Sequence, residues 1–186
     1  PAGLNEFVKY YYPQLVKEAL IIDVRGNGGG NVSPIIIERL RREAAQITIM
    51  RNAKPIFEPE NNGPMVMLCD EFSASDGDIV NYRFRTHKLG KIIGKRTWGG
   101  VVGIRGTLPF VDGGVLNKPE FSRYDLQGKE WIMEGVGVEP DIYVDNDPYQ
   151  EFTGTDQQLN KGIEVILEEL KTKSKKMPDP PAFPIK

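Results

Sequence analysis

The sequence predicts a layered α/β domain whose strands are buried on both faces. Three observations carry this. The runs Ala19-Leu20-Ile21-Ile22-Asp23-Val24 and Pro64-Met65-Val66-Met67-Leu68-Cys69 are almost continuously apolar rather than alternating, the pattern of strands buried on both sides. Each run is followed by apolar residues at helical spacing: Ile36, Ile37, Leu40 and Ala44 after the first, Ile79, Val80, Phe84 and Leu89 after the second. Strand–helix alternation of this kind builds layered α/β folds. At 186 residues the chain is one domain with at most a short appendage, and a chain of that size buries roughly 70% of its unfolded surface.

Taken in order, residues Asn5 to Tyr12 read as a short helix ended by Pro13. The strand from Ala19 to Val24 runs into Arg25-Gly26-Asn27-Gly28-Gly29-Gly30. Ser33 is expected to cap the next helix, with Pro34 at its first position. A strand from Ile47 to Met50 and a loop from Lys54 to Gly63 follow. The strand Met65 to Cys69 leads to a helix expected from Ala74 to about Leu89, stopped by Gly90. After Lys91-Ile92-Ile93 and Arg96-Thr97-Trp98-Gly99-Gly100, the region from Val101 to Asp145 is expected to be β-rich, with tight turns at Asp112-Gly113-Gly114 and Gly135-Val136-Gly137. A last helix runs from Asp156, its cap, to about Lys171. Residues 172–186 hold four prolines and several lysines, and read as a tail or a docked segment.

A net charge of −2, with 39% hydrophobic and 27% charged residues, points away from nucleic acid and anionic membranes. Arg39, Arg41 and Arg42 stand beside Glu38 and Glu43 and read as a solvated helix face. Cys69, the single cysteine, excludes an internal disulfide and a cysteine-built metal cage, and reads as a small buried hydrophobe. No run of about 18 apolar residues is present, so no membrane-spanning helix is expected. The start Pro1-Ala2-Gly3-Leu4 has neither initiator Met nor signal-peptide pattern, as if cut from something longer; cytoplasm and periplasm both stay open.

Ser75 is the first candidate for chemistry. It stands at a strand-to-helix turn, where a nucleophile is exposed above a sheet. The glycine loop after the first strand would let backbone N–H groups approach a developing oxyanion. The loop lacks the Gly-Lys-Ser/Thr of a phosphate-binding loop, and Asn31 stands where a dinucleotide fingerprint needs its third glycine; a plain tight turn remains the alternative. Ser75 is equally a candidate helix cap, unless Ser73 takes that duty. Asp76 and Asp78 fall in the first turn, where the macrodipole favours carboxylates, and for Asp78 that is the whole expectation. A serine nucleophile needs a base. His87, the single histidine, follows Ser75 by twelve residues, about 18 Å along a helix axis. It reads as a surface residue, so the base is either not histidine or not in this chain.

Three segments in order and spacing resemble the C-terminal-processing peptidase superfamily of serine proteases: Leu20 to Gly30, Asp70-Glu71-Phe72-Ser73-Ala74-Ser75-Asp76-Gly77-Asp78, and Gly94-Lys95-Arg96-Thr97-Trp98-Gly99-Gly100. Ser-Asp-Gly-Asp, Thr-Trp-Gly-Gly-Val-Val-Gly-Ile and Gly-Val-Gly-Val-Glu-Pro-Asp make the chain most similar to the catalytic C-terminal domain of tricorn-type proteases, over about Leu4 to Leu170. The resemblance implies a ClpP/crotonase-like ββα superhelix, a curved, mostly parallel sheet with flanking helices, with a catalytic core at 1–171 and a tail at 172–186. The processing-peptidase branch places its base lysine where this chain has Gly100, so that dyad is not expected. The tricorn branch uses a Ser-His-Ser-Glu tetrad whose histidine and second serine lie upstream. By resemblance Ser75 is the nucleophile, Glu134 orients the histidine, and the N–H groups of Asp76 and of Gly29 or Gly30 form the oxyanion hole. No cofactor is implied. The implied partners are a peptide or unfolded protein substrate, upstream PDZ and β-propeller domains, and further copies in a homo-oligomer. Selection of basic side chains would come from an acidic residue, for which Glu58 and Glu60 are candidates, and Trp98 reads as core packing or channel wall. A non-catalytic peptide-binding or assembly domain, and a nucleotide site on the glycine loop, are the competing readings.

Overall fold

The computed structural model describes residues 2–58, 63–104, 109–174, 176–182 and 185. At its centre lies a four-stranded, all-parallel sheet in the order β1 (Leu20–Asp23), β4 (Met65–Cys69), β5 (Gly90–Gly94) and β8 (Ile142–Tyr143). β4 begins and ends where its apolar run does. All five residues are buried, because the strand is flanked on both edges and covered on both faces.

The pleat sends successive side chains to opposite faces. Met65, Met67 and Cys69 join Ile92, Ile37 and Leu40 of α2 (Ser33–Leu40), and Val80 and Phe84 of α3 (Asp76–Thr86), in the larger core. Val66 and Leu68 join Ile93 and Ile166 of α5 (Gln157–Lys173) on the other face. Each fully buried aliphatic side chain contributes about 1.5–3 kcal/mol, and Leu68→Ala would cost about 2–5 kcal/mol. α1 (Ala2–Tyr11) is followed by a 3₁₀ turn, Tyr12–Gln14, and leans on this core through Phe7 stacked on Tyr11 at 4.9 Å.

Several boundaries differ from the sequence expectation, each for a physical reason. Ser33 does not cap α2; it is the first helical residue, Val32 holds the cap position, and no side chain of its own caps the helix. α3 starts at Asp76 rather than Ala74 and leaves the helix at Thr86. Lys88 at φ 55° and the bond from Leu89 N–H to Phe84 O close its end, so Gly90 is free to open β5. Among the described residues after Val101, the strands are β6 (Gly103–Ile104), β7 (Pro119–Phe121) and β8, with isolated bridges Pro109–Val115 and Tyr124–Trp131. Residues 109–122 lie exposed, so they have no second layer against which to build a wider sheet. Turns form at Val111–Asp112, closed by Gly113 N–H on Phe110 O at 2.9 Å, and at Glu134–Val136, as the glycines there predict.

β2 (Ile47–Thr48) is shorter than the expected Ile47–Met50 strand, and it pairs antiparallel with β3 (Ile56–Phe57), which lies inside the segment expected to be a loop. α4 (Pro148–Phe152) was not foreseen; Asp147 caps it through Tyr149 and Gln150 N–H. Asp156 caps α5 through Leu159 N–H, as expected, and α5 runs on to Lys173. Beyond it, Met177 lines an apolar cleft with Tyr12, Leu15, Ile56 and Phe57. Among the described residues no helix is long and apolar enough to cross a membrane.

Candidate active site

The strand β4 delivers a tight turn, Asp70 to Ser75, to the carboxyl end of the sheet. Asp70 organises it by accepting Gly26 N–H at 3.0 Å and Phe72 N–H at 3.1 Å. Ser73 is fully buried, with Oγ 3.0 Å from Val24 O and from Asp70 Oδ1, so it welds β1 to the turn and caps nothing. Ser75 occupies the cap position of α3 at φ 55°, ψ −111°, and its hydroxyl makes no capping bond. For a residue with a Cβ this conformation costs on the order of 1–3 kcal/mol and persists only where its surroundings impose it. Those surroundings are Ala74 N–H on Asn27 O (2.8 Å), Trp98 N–H on Ser73 O (3.0 Å) and Ile79 N–H on Ser75 O (3.0 Å). The result is a part-exposed alcohol with no hydrogen-bond partner among the described residues.

The glycine loop faces it. A Cβ on Gly29, whose φ is 126°, would lie 2.9 Å from Ser75 Cβ and 3.3 Å from Ser75 Oγ, so only glycine fits against the serine. Gly29 N–H donates to Asn27 Oδ1 at 3.1 Å. The N–H groups of Gly30 and Asp76 take no acceptor among the described residues. The Asp76 N–H is one of the orphan donors every helix start exposes.

Asp78 stands in the first turn of α3, as expected, but does more than complement the dipole. It is wholly buried, and its Oδ1 accepts the Thr97 hydroxyl and Gly99 N–H (2.8 Å), while Oδ2 has no partner among the described residues. Thr97 Oγ in turn accepts Val138 N–H at 2.8 Å. This fixes the segment from Trp98 to Val102 beside the nucleophile turn. Glu134 grips the far end of the same segment, its Oε2 accepting Val101 N–H at 2.7 Å and Val102 N–H at 2.8 Å. Gly135 N–H adds a bond to Gly99 O at 2.7 Å, and Met133 holds a left-handed φ of 68° to turn Glu134 onto it. Ser75, Asp76, Gly29 and Gly30 therefore form one constellation, and Glu134 is joined to it through the 98–102 segment.

Other candidates fall outside it. His87 is exposed beyond the far end of α3, its pKa lowered by partial burial and by Arg41 and Arg83. Lys95 is no free amine base: hydrogen bonding to Glu71 (2.6 Å), then to Asp145, holds it more firmly protonated. Trp98 is 62% exposed and is not core. Glu58 bonds Ala45 N–H at 2.9 Å, and Glu60 lies outside the described residues. Sequence reasoning missed the carboxylate roles of Asp76 and Asp78 and the buried hydroxyls of Ser33 and Thr97. Their partners lie 19 to 44 residues away, so no local pattern marks them. Among the described residues no group of three or more His, Cys, Asp or Glu is placed to hold a metal ion.

Comparison with known proteins agrees with this geometry. The tricorn protease of Thermoplasma volcanium is 39% identical over 170 residues, covering 90% of this chain and 16% of that protein. The tricorn protease of Thermoplasma acidophilum is 37% identical over 182 residues, covering 97% of this chain and 17% of that protein. A crystal structure of the tricorn protease superposes with a TM-score of 0.85 at 37% identity, covering 91% of this chain and 17% of that one. The photosystem II D1 C-terminal processing protease matches with a TM-score of 0.50 at 24% identity, over 77% of this chain and 39% of that one, which shows a shared fold. The chain thus spans about a sixth of the length of the tricorn proteases it matches. The model of peptidase family S41 matches residues 3–144, and this chain belongs to that family.

Proposed function

We propose that this chain is the nucleophile-bearing part of a serine peptidase of tricorn type. The observation that carries the reading is Ser75 itself, forced to φ 55°, uncapped, with Gly29 pressed against its side chain. Ser75 Oγ attacks the scissile carbonyl of a peptide. Its proton passes to a histidine supplied from outside this chain and then to the leaving amine, and water releases the acyl group from Ser75. Glu134 uses Oε2 on the backbone, which leaves Oε1 to orient that histidine through a second serine. Asp76 N–H and a glycine N–H of the 29–30 run receive the oxyanion. Removing one such donor costs about 10²–10³ in kcat, about 3–4 kcal/mol. Apart from its base the chain retains only the residual catalysis of binding and the oxyanion site.

Further domains of the same protein, such as PDZ and β-propeller modules, and assembly into a homo-oligomer belong to this reading through the tricorn relatives. A nucleotide on the glycine loop is disfavoured by electrostatics. Two carboxylates, Asp70 and Asp76, already occupy the loop amides of Gly26, Val32 and Ser33, where phosphate would need them. A non-catalytic peptide-binding domain would not need the strained serine. The test is peptide hydrolysis by the intact protein before and after Ser75→Ala. The reading expects loss of at least about 10³-fold in kcat with folding intact; undiminished hydrolysis removes Ser75 from the mechanism.

A further inference from the structure

The proposed chemistry uses Asp76 only for its backbone N–H. Its side chain is nonetheless 5% exposed and fully engaged on the opposite wall of the site. Oδ2 accepts Val32 N–H at 2.8 Å and Ser33 N–H at 2.9 Å, and Oδ1 accepts the buried Ser33 hydroxyl. Val32 occupies the cap position of α2 but has no polar group to cap with. The capping oxygen, normally supplied by the helix's own first residue, comes here from the first turn of α3. A Cβ on Gly30 would lie 3.8 Å from Asp76 Oδ2, so the carboxylate stands directly behind the glycine run.

One residue therefore holds both sides of the gap. Its N–H lies on the nucleophile side, and its carboxylate fixes the exit of the loop that carries the opposing donor. We propose that the Asp76 side chain is a positioning residue. It sets the spacing of the oxyanion site by tying Val32 and Ser33 to the first turn of α3, so that the glycine and Asp76 N–H groups converge on one point beside Ser75. This rests on the serine-peptidase reading given above. Preorganised donors lose their effect when displaced by about 1 Å.

Two measurements test it. In this chain, amide exchange compares Asp76→Ala with the parent: exchange at Val32 and Ser33 should speed up at least tenfold while β4 amides stay protected. In the intact protein, Asp76→Ala should lower kcat about 10- to 100-fold with KM changed less than about threefold. Affinity for a peptide boronate, which mimics the tetrahedral state on serine, should fall in parallel with kcat, and affinity for a product peptide should not. Asp76→Asn, which keeps an acceptor oxygen, should recover part of the loss, and Ser33→Ala, which removes one of three bonds, should show a smaller version of it. A cap that serves stability alone would lower the melting temperature without separating boronate from product affinity; that result, or unchanged exchange at Val32 and Ser33, overturns the proposal. Ser75→Ala run in parallel separates the two failures: a fully active Ser75→Ala overturns the peptidase reading and this inference with it, whereas an inactive Ser75→Ala beside an unaffected Asp76→Ala overturns this inference alone.

Discussion

Gly77→Ala sets two opposing effects against each other at the nucleophile turn. Gly77 is the second residue of α3, and by helix propensity alone alanine there would stabilise by about 0.8–1 kcal/mol. The added Cβ, however, would lie 2.4 Å from Asn27 O, about 1 Å short of ordinary contact at 3.4 Å. That oxygen is backbone, and it accepts Ala74 N–H at 2.8 Å, the bond that helps hold Ser75 in its strained conformation. Withdrawing Asn27 by about 1 Å breaks that bond, at about 0.5–1.5 kcal/mol, and overpacking adds about 1–3 kcal/mol. The clash outweighs the propensity, and the net is a destabilisation of about 2 kcal/mol. For a chain of 186 residues this lowers the melting temperature by about 4–8 °C. The matched control is Gly162→Ala in α5, where the Cβ would meet only side-chain ends, Leu68 Cδ2 at 3.2 Å and Val66 Cγ1 at 3.6 Å; a change under about 1 kcal/mol is expected there. Both variants are read by denaturant unfolding with a shared slope. A Gly77→Ala protein as stable as the parent, or more so, refutes the contact between α3 and the glycine loop.

The Asp156 carboxyl is held down to about 2, chiefly by hydrogen bonding to Arg25, against an ordinary value of 3.8. A depressed carboxyl gives stability that is complete above its unfolded pKa and lost as pH falls through its folded one. Asp156→Asn, which keeps the cap of α5, should therefore flatten the stability loss between about pH 4 and pH 2 in acid titration; an unchanged acid limb contradicts the Arg25–Asp156 pair. Ser75→Gly should raise the melting temperature by about 2–4 °C by releasing about 1 kcal/mol of strain, whereas Ser75→Ala, which keeps its Cβ, should not; equal melting temperatures for the two would deny the strain. Burial, then the neighbouring Asp70, pushes the Cys69 thiol up to about 12, so the native protein should resist thiol reagents at pH 8 and react once unfolded; rapid native labelling would contradict the buried β4.

What the sequence revealed and what it hid divide by the range of the forces involved. β4 was legible to the residue because its apolar run is too short for a buried helix, is bounded by Pro64 and Asp70, and fits a strand buried on both faces. The start of α5 was legible because Asp156 caps it from the adjoining position. Ser33 misled for the complementary reason: it looked like a local cap, but its hydroxyl serves Asp76, 43 residues on. Asp78 looked like a first-turn carboxylate, yet the fold turns it inward onto Thr97 and Gly99. The β-rich expectation after Val101 rested on turn residues, and the fold leaves residues 109–122 exposed with no second layer. Within the site, Ser75 and the glycine run could be found from strand–turn punctuation, whereas the place of Asp76 came from the family resemblance. How Glu134 connects to them depends on the 98–102 segment, which no spacing rule encodes.

A fluorophosphonate, which esterifies activated serines, reports on the Ser75 hydroxyl itself. Incubated with the intact protein that supplies the histidine, then digested and mapped by mass spectrometry, the reagent should mark the peptide carrying Ser75, in step with loss of peptide hydrolysis. Hydrolysis that survives complete labelling of Ser75, or a mark on any other serine that tracks inactivation, would contradict the account.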